Sequence, residues 1–112
     1  MKVTAEQATG AVIAKAEGRV DSSNARAFED ALGAAFGESD LAVIVDFEAL
    51  TYISSAGLRV VLLAAKTLQQ QNRAFKVCAL AGAIRELFEI SGFDRIIDVY
   101  PSRSEALASL AH

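Results

Sequence analysis

The chain has 112 residues, of which 53% are hydrophobic and 22% charged, and its formal net charge is -3. That length suits one domain spanning residues 1–112, and the composition specifies a packed core rather than a disordered segment. The mild acidity and the scattered Lys and Arg residues leave no electrostatic footprint for nucleic acid and little pull towards anionic lipid.

Residues 2–8 read as a weak first strand, and Ala11 to Ala16 as a better one. Gly10 between them supports a tight reversal, so an antiparallel hairpin is expected. The run Gly18-Arg19-Val20-Asp21-Ser22-Ser23 breaks the strand and offers Asp and Ser as helix caps. The helix that follows sets Ala25, Phe28, Leu32 and Ala35 on one stripe and ends at Gly37. Gly33 inside it costs about 1 kcal/mol relative to Ala.

Leu41 to Val45 is a continuous apolar run, the pattern of a central parallel strand covered on both faces, and Asp46 ends it. A second helix is predicted from about Ala56 to Gln71. Leu58, Val61, Ala64, Ala65 and Leu68 share its apolar face, and Arg59, Lys66 and Gln70 its polar face. Ala74 to Leu80 reads as a strand and Gly82 to Ile90 as a helix with Ile84, Leu87 and Phe88 inward. Arg95 to Tyr100 reads as a last strand. Ser102 and Glu105 have capping-box spacing and open a final helix through Leu107 and Leu110. This alternation predicts an α/β fold, a mostly parallel sheet with an antiparallel N-terminal edge strand and about four helices.

Several chemistries lack their residues. Cys78 is the only cysteine and sits in an apolar run; the only histidine is His112, at the chain end. A zinc site of Cys/His type and a serine or cysteine relay are therefore not expected, and no metal or other cofactor is called for. No phosphate-binding P-loop and no Gly-x-Ser-x-Gly elbow occurs. No apolar leader follows the N-terminal Lys2, and the longest strongly apolar stretch, Val60 to Ala65, is too short to span a bilayer. A cytoplasmic protein with no membrane partner is expected.

The stretch Leu50 to Val60 joins a buried strand to a helix and places Ser54, Ser55 and Gly57 at the joint. One reading is capping, with a hydroxyl accepting from a backbone N–H and Gly57 permitting a close turn. The other makes Ser55 a phosphoacceptor, where free N–H groups and the helix dipole favour an anion. Asp46 at the end of the central strand and Asp21 after the second strand read either as a solvated terminator and a cap, or as members of an acidic, hydroxyl-bearing edge with Ser55. Leu63 falls on the otherwise polar face of its helix, between Arg59 and Lys66, and is either an unremarkable exposed Leu or an interface anchor.

The run from Val43 to Leu58 resembles the signature of STAS domains, and more narrowly that of the stand-alone bacterial anti-sigma factor antagonists. Gly18-Arg19-Val20-Asp21 is similar to that family's Gly-x-x-Asp turn, and Arg85 to Phe93 to its stretch before the last strand. The resemblance implies a non-enzymatic, partner-switching protein of the STAS fold. Its unphosphorylated form would bind an anti-sigma factor that is also a serine kinase. Phosphorylation would release it, and a PP2C-type phosphatase would reset it. The acceptor position falls on Ser55. Ser54 stands where the family often has Asp and offers a second acceptor; Ala56 stands where Ser or Thr is common, and Arg59 where Gly is common. Asp21, Asp46, Ser54, Ser55, Gly57, Arg59 and Leu63 are the expected partner-binding residues. The alternatives are a STAS module that senses a ligand or scaffolds a complex without phosphorylation, and an enzyme at the Asp21/Asp46/Ser55 edge.

Overall fold

The computed structural model describes residues 1–110, and His112 lies outside them. A hairpin opens the chain, with β1 (Lys2–Ala8) antiparallel to β2 (Ala11–Val20). Then come α1 (Ala25–Phe36), β3 (Ala42–Asp46), β4 (Leu50–Ile53), α2 (Ser55–Gln70), β5 (Phe75–Cys78), α3 (Gly82–Ile90), a short 3-10 turn over Phe93–Arg95, β6 (Asp98–Tyr100) and α4 (Arg103–Ala108). The sheet runs β1-β2-β3-β5-β6, with β4 attached to β2 beside that path. Every pairing except β1–β2 is parallel. The α/β architecture expected from the alternation is therefore present. No helix among the described residues is long and apolar enough to cross a membrane.

The apolar run in β3 is buried on both sides because it lies between two layers. Val43 and Val45 join Ala14, Ala16 and Val77 under α1, α2 and α3, where Phe28, Leu32, Val61, Leu68, Ile84 and Phe88 complete the main core. Ile44 points the other way, with Ala11, Ile13 and Cys78, under Ala106 of α4. The alternation of side chains along each strand assigns these residues to opposite faces.

Two segments differ from the sequence expectation. Strand β2 does not break at Gly18. It runs on to Val20, with a register shift between Gly18 and Arg19 and Gly18 at φ +90°. That irregularity lets one strand serve two partners: Ala11 to Lys15 pairs with β3, and Gly18 to Val20 pairs with β4. Strand β4 itself was not expected. Only Leu50 and Ile53 of its four residues are buried, so it carries no alternating signature, and its partner is the segment that reads as a turn.

Smaller corrections follow from packing. Leu87 is exposed rather than inward. The strand expected from Arg95 begins only at Asp98, after the 3-10 turn, and the strand expected through Leu80 ends at Cys78. At the start of α1 the cap position is Asn24, without a side-chain cap bond; Asp21 and Ser23 bond to each other instead. Gly37 does end α1, at φ +61°, and Ser102 caps α4 by accepting from the Glu105 N–H at 3.2 Å.

Two arginines missed by the sequence reading hold the layers together. Arg73 is 3% exposed. Its guanidinium donates to the carbonyls of Leu41 (2.8 Å), Gly37 (2.9 Å) and Phe36 (2.9 Å) and to the Ser39 hydroxyl (3.3 Å). A cation there satisfies carbonyls that the C-terminus of α1 leaves unpaired, at the negative end of its dipole. Arg103 of α4 grips the buried Asp46, with Nε and Nη2 donating to Oδ2 at 3.1 and 2.9 Å, and it also pairs with Glu6 of β1.

Arg73→Met is expected to cost about 2–4 kcal/mol in urea unfolding, because it strands the Phe36 carbonyl in the interior and frees the part-buried carbonyls of Gly37 and Leu41. Burial, with the Asp46 charge beside it, pushes the Cys78 thiol up to about 12. A thiol reagent at pH 8 should therefore modify Cys78 only as fast as the protein unfolds, and labelling that outruns global unfolding would contradict the closed α4 layer.

Candidate functional site

The ends of β2 and β4 lie side by side, with Val20 paired to Ile53. The Ser54 N–H continues the ladder by donating to the Val20 carbonyl at 2.9 Å. The chain then turns into α2. Ser54 is its N-cap in extended conformation, and its Oγ accepts from the Gly57 N–H at 3.3 Å. The capping reading of the two serines is thus satisfied by Ser54 alone.

Gly57 decides how close the helix comes. A Cβ built on it would lie 2.6 Å from Ile53 Cγ1 and 2.8 Å from Val20 Cγ1. Only a residue without a side chain allows the first turn of α2 to rest on the two strand ends. Ser55, the first residue of α2, is turned outward and exposed, and its hydroxyl makes no hydrogen bond among the described residues.

From Ser55 an exposed stripe runs along α2 through Arg59 to Leu63, at successive helical turns. Leu63 is 45% exposed. On the other side of Ser55 the β2–α1 turn is tied down. The Asp21 carboxylate accepts from the Ser23 hydroxyl (2.5 Å) and N–H (2.9 Å), and these bonds hold its carboxyl below the usual carboxylate range. Asn24 accepts from the Asp21 N–H and donates to the Arg19 carbonyl, both at 2.9 Å. Between turn and helix, Arg19 lies over the Tyr52 ring, 4.3 Å from its centroid. Tyr52 is half-exposed, so the pair forms part of the surface. Neither residue stood out in the sequence, because their neighbour relation depends on the unexpected β2–β4 pairing.

Asp46 does not join this group. It is 5% exposed, on the α4 side of the sheet, its Oδ1 accepting from the Glu48 N–H and its Oδ2 held by Arg103. It pairs in register with Lys15, five residues before Val20, which puts it roughly 16 Å back along the strand at about 3.3 Å per residue. The expected edge of Asp21, Asp46 and Ser55 is therefore two places. Asp21 and Ser55 follow adjacent strand ends, while Asp46 is neither a solvated terminator nor a neighbour of Ser55.

Chemically, the site offers one unengaged hydroxyl at the positive end of a 16-residue helix, with Arg59 one turn away. No group of His, Cys, Asp and Glu among the described residues could hold a metal ion.

Comparison with known proteins places this geometry in a family. The STAS domain family matches residues 2–106. BtrV of Bordetella bronchiseptica, named as an anti-sigma factor antagonist, is 45% identical over 109 residues, covering 97% of this chain and 94% of that protein. The crystal structure of an anti-sigma factor antagonist from Mycobacterium paratuberculosis superposes with a TM-score of 0.89 at 25% identity, over 99% of this chain and 94% of that one. The anti-sigma factor antagonist SpoIIAA in its unphosphorylated form superposes at 0.77 with 20% identity, over 97% and 96% of the two chains, and its phosphorylated form, from Bacillus, at 0.68 with 17%, over 97% and 99%. The chain belongs to the STAS domain family, among the anti-sigma factor antagonists.

Proposed function

We propose that the chain is a phosphorylation-controlled antagonist of an anti-sigma factor that is itself a serine kinase. The carrying observation is the division of labour between neighbouring serines: Ser54 spends its hydroxyl on the Gly57 N–H, and Ser55 presents its own to solvent at the same helix start. The names of its relatives supply the class of partner, and SpoIIAA has been solved both with and without its phosphate.

In this reading the partner docks over Asp21, Ser54, Ser55, the backbone at Gly57, Arg59 and Leu63, with Arg19 and Tyr52 in the same surface. Asp46 is outside it. The partner brings ATP; the Ser55 oxygen attacks the γ-phosphorus, ADP departs and the hydroxyl proton passes to a base on the kinase. The chain itself contributes no catalytic group. The new phosphate brings roughly −1.5 to −2 charges to the α2 N-terminus, which the helix dipole and Arg59 accommodate. A partner packed on the hydroxyl does not accommodate it. Turning a complex from 99% bound to 99% free needs about 5.5 kcal/mol of differential affinity, the scale of a desolvated like-charge contact. A PP2C-type phosphatase hydrolyses the ester and restores the docking form. This cycle belongs in the bacterial cytoplasm, where kinase and sigma factor reside.

The test is a panel of purified bacterial serine-kinase anti-sigma factors, each incubated with the chain and ATP. Ser55→Ala should stay bound in ATP, while Ser55→Asp should bind at least about tenfold more weakly than the unmodified chain. Ser54→Ala should still gain one phosphoryl group, on Ser55, while losing about 1 kcal/mol of stability with its cap. Equal binding of the two Ser55 variants, or a phosphoryl group mapped to Ser54, would refute the assignment. Binding without any gain in mass would favour the scaffold alternative.

A further inference from the structure

Gly33 sits in the middle of α1 without a local reason to be glycine. Its backbone is helical, and a Cβ built on it would meet nothing within 4 Å. A helix-interior Gly costs about 1 kcal/mol relative to Ala, so neither conformation nor packing accounts for it. What the missing side chain leaves open is a groove between α1 and α2. Leu32, Gly33 and Phe36 line it from one helix, and Val60, Leu63 and Ala64 from the other, with the exposed Glu29 and Thr67 completing a lining around about 200 Å³. Leu32, Phe36 and Val60 form a buried floor, and Leu63 stands half-exposed at the mouth. An apolar cavity of about 150 Å³ takes a benzene molecule, so this one has room for a Leu-, Met- or Phe-sized group.

The groove is continuous with the docking surface assigned above. Leu63 lies eight residues beyond Ser55 on the same stripe of α2, about 12 Å away at 1.5 Å per residue. Its α2 flank is basic, and the one charged side chain in the lining on the α1 side is Glu29. Arg59 and Lys66 bracket Leu63 along α2, both exposed and neither in an ion pair among the described residues. A segment lying along α2 therefore meets two cations and, between them, an open apolar socket.

We propose that this groove seats one apolar side chain of an amphipathic, acidic segment of the kinase that covers Ser55, with carboxylates over Arg59 and Lys66; the proposal rests on the docking function assigned to Ser55. The socket fixes which partner binds, and Ser55 fixes when. Gly33 is a specificity-determining residue, retained at the expense of helix stability because a side chain there would fill the seat.

The probe is the purified serine-kinase anti-sigma factor retained by Ser55→Ala. Its affinity is measured for the unmodified chain, Gly33→Leu, Leu63→Ala, Lys66→Glu and, as a remote control, Ile90→Ser on the exposed face of α3. Melting temperature is recorded for each variant. Gly33→Leu is expected to melt no lower than the parent and to bind at least about tenfold more weakly. Leu63→Ala and Lys66→Glu should each weaken binding several-fold, and Ile90→Ser should not. Should Gly33→Leu fold poorly, Leu63→Ala decides, since it truncates only a half-exposed side chain. Gly33→Leu and Leu63→Ala binding within twofold of the parent, while the Ser55 variants behave as above, would overturn the groove and leave the switch standing. Groove variants that weaken binding while Ser55→Asp does not would uphold the groove and remove the switch. A panel in which no kinase binds the chain overturns both.

Discussion

The closeness of Gly57 to Ile53 and Val20 is the constraint on which the rest of the site depends. It presses the first turn of α2 against the ends of two parallel strands. Ser54 is then drawn into the ladder through its N–H and into the helix through its hydroxyl. The next residue has no inward place to go. Ser55 is exposed because the turn beneath it is so tightly packed.

That seam in turn requires β2 to reach far enough to touch both β3 and β4. The register shift at Gly18 allows it, by re-aiming the strand after it leaves β3. The Thr51 hydroxyl donates to the Gly18 carbonyl at 3.0 Å and ties the irregular point to β4. Asp21 then emerges next to Ser54, and Arg19 next to Tyr52. The surface proposed for docking, made from a turn, a strand and a helix, thus derives from one interruption in one strand.

Charge is divided between structure and surface. Arg73 and Arg103 are consumed internally, one on the carbonyls that close α1 and the other on Asp46 and Glu6. Arg73 and the Asp46 carboxylate are buried and would be costly to leave unpaired, which is why each is held by several hydrogen bonds. Arg19, Arg59 and Lys66 are in no ion pair among the described residues, and Arg59 and Lys66 lie on the helix that Ser55 opens.

Much of this architecture was legible in the residues. The unbroken run Leu41 to Val45 announces a strand covered on both faces, and the stripes of α1 and α2 are visible as apolar periodicity, because burial of one helical face is written locally. The motif around Ser55 identified the family for the same reason: it is contiguous. Strand β4 was not legible, since four residues with two buried carry no period and their partner is a strand extension past a glycine. The choice between Ser54 and Ser55 as the unengaged hydroxyl, the removal of Asp46 to the α4 face, the pairing of Arg19 with Tyr52 and the groove opened by Gly33 were likewise settled only by tertiary structure. Each depends on which segments meet across the sheet or between helices, and such distances are not encoded in the spacing of neighbours along the chain.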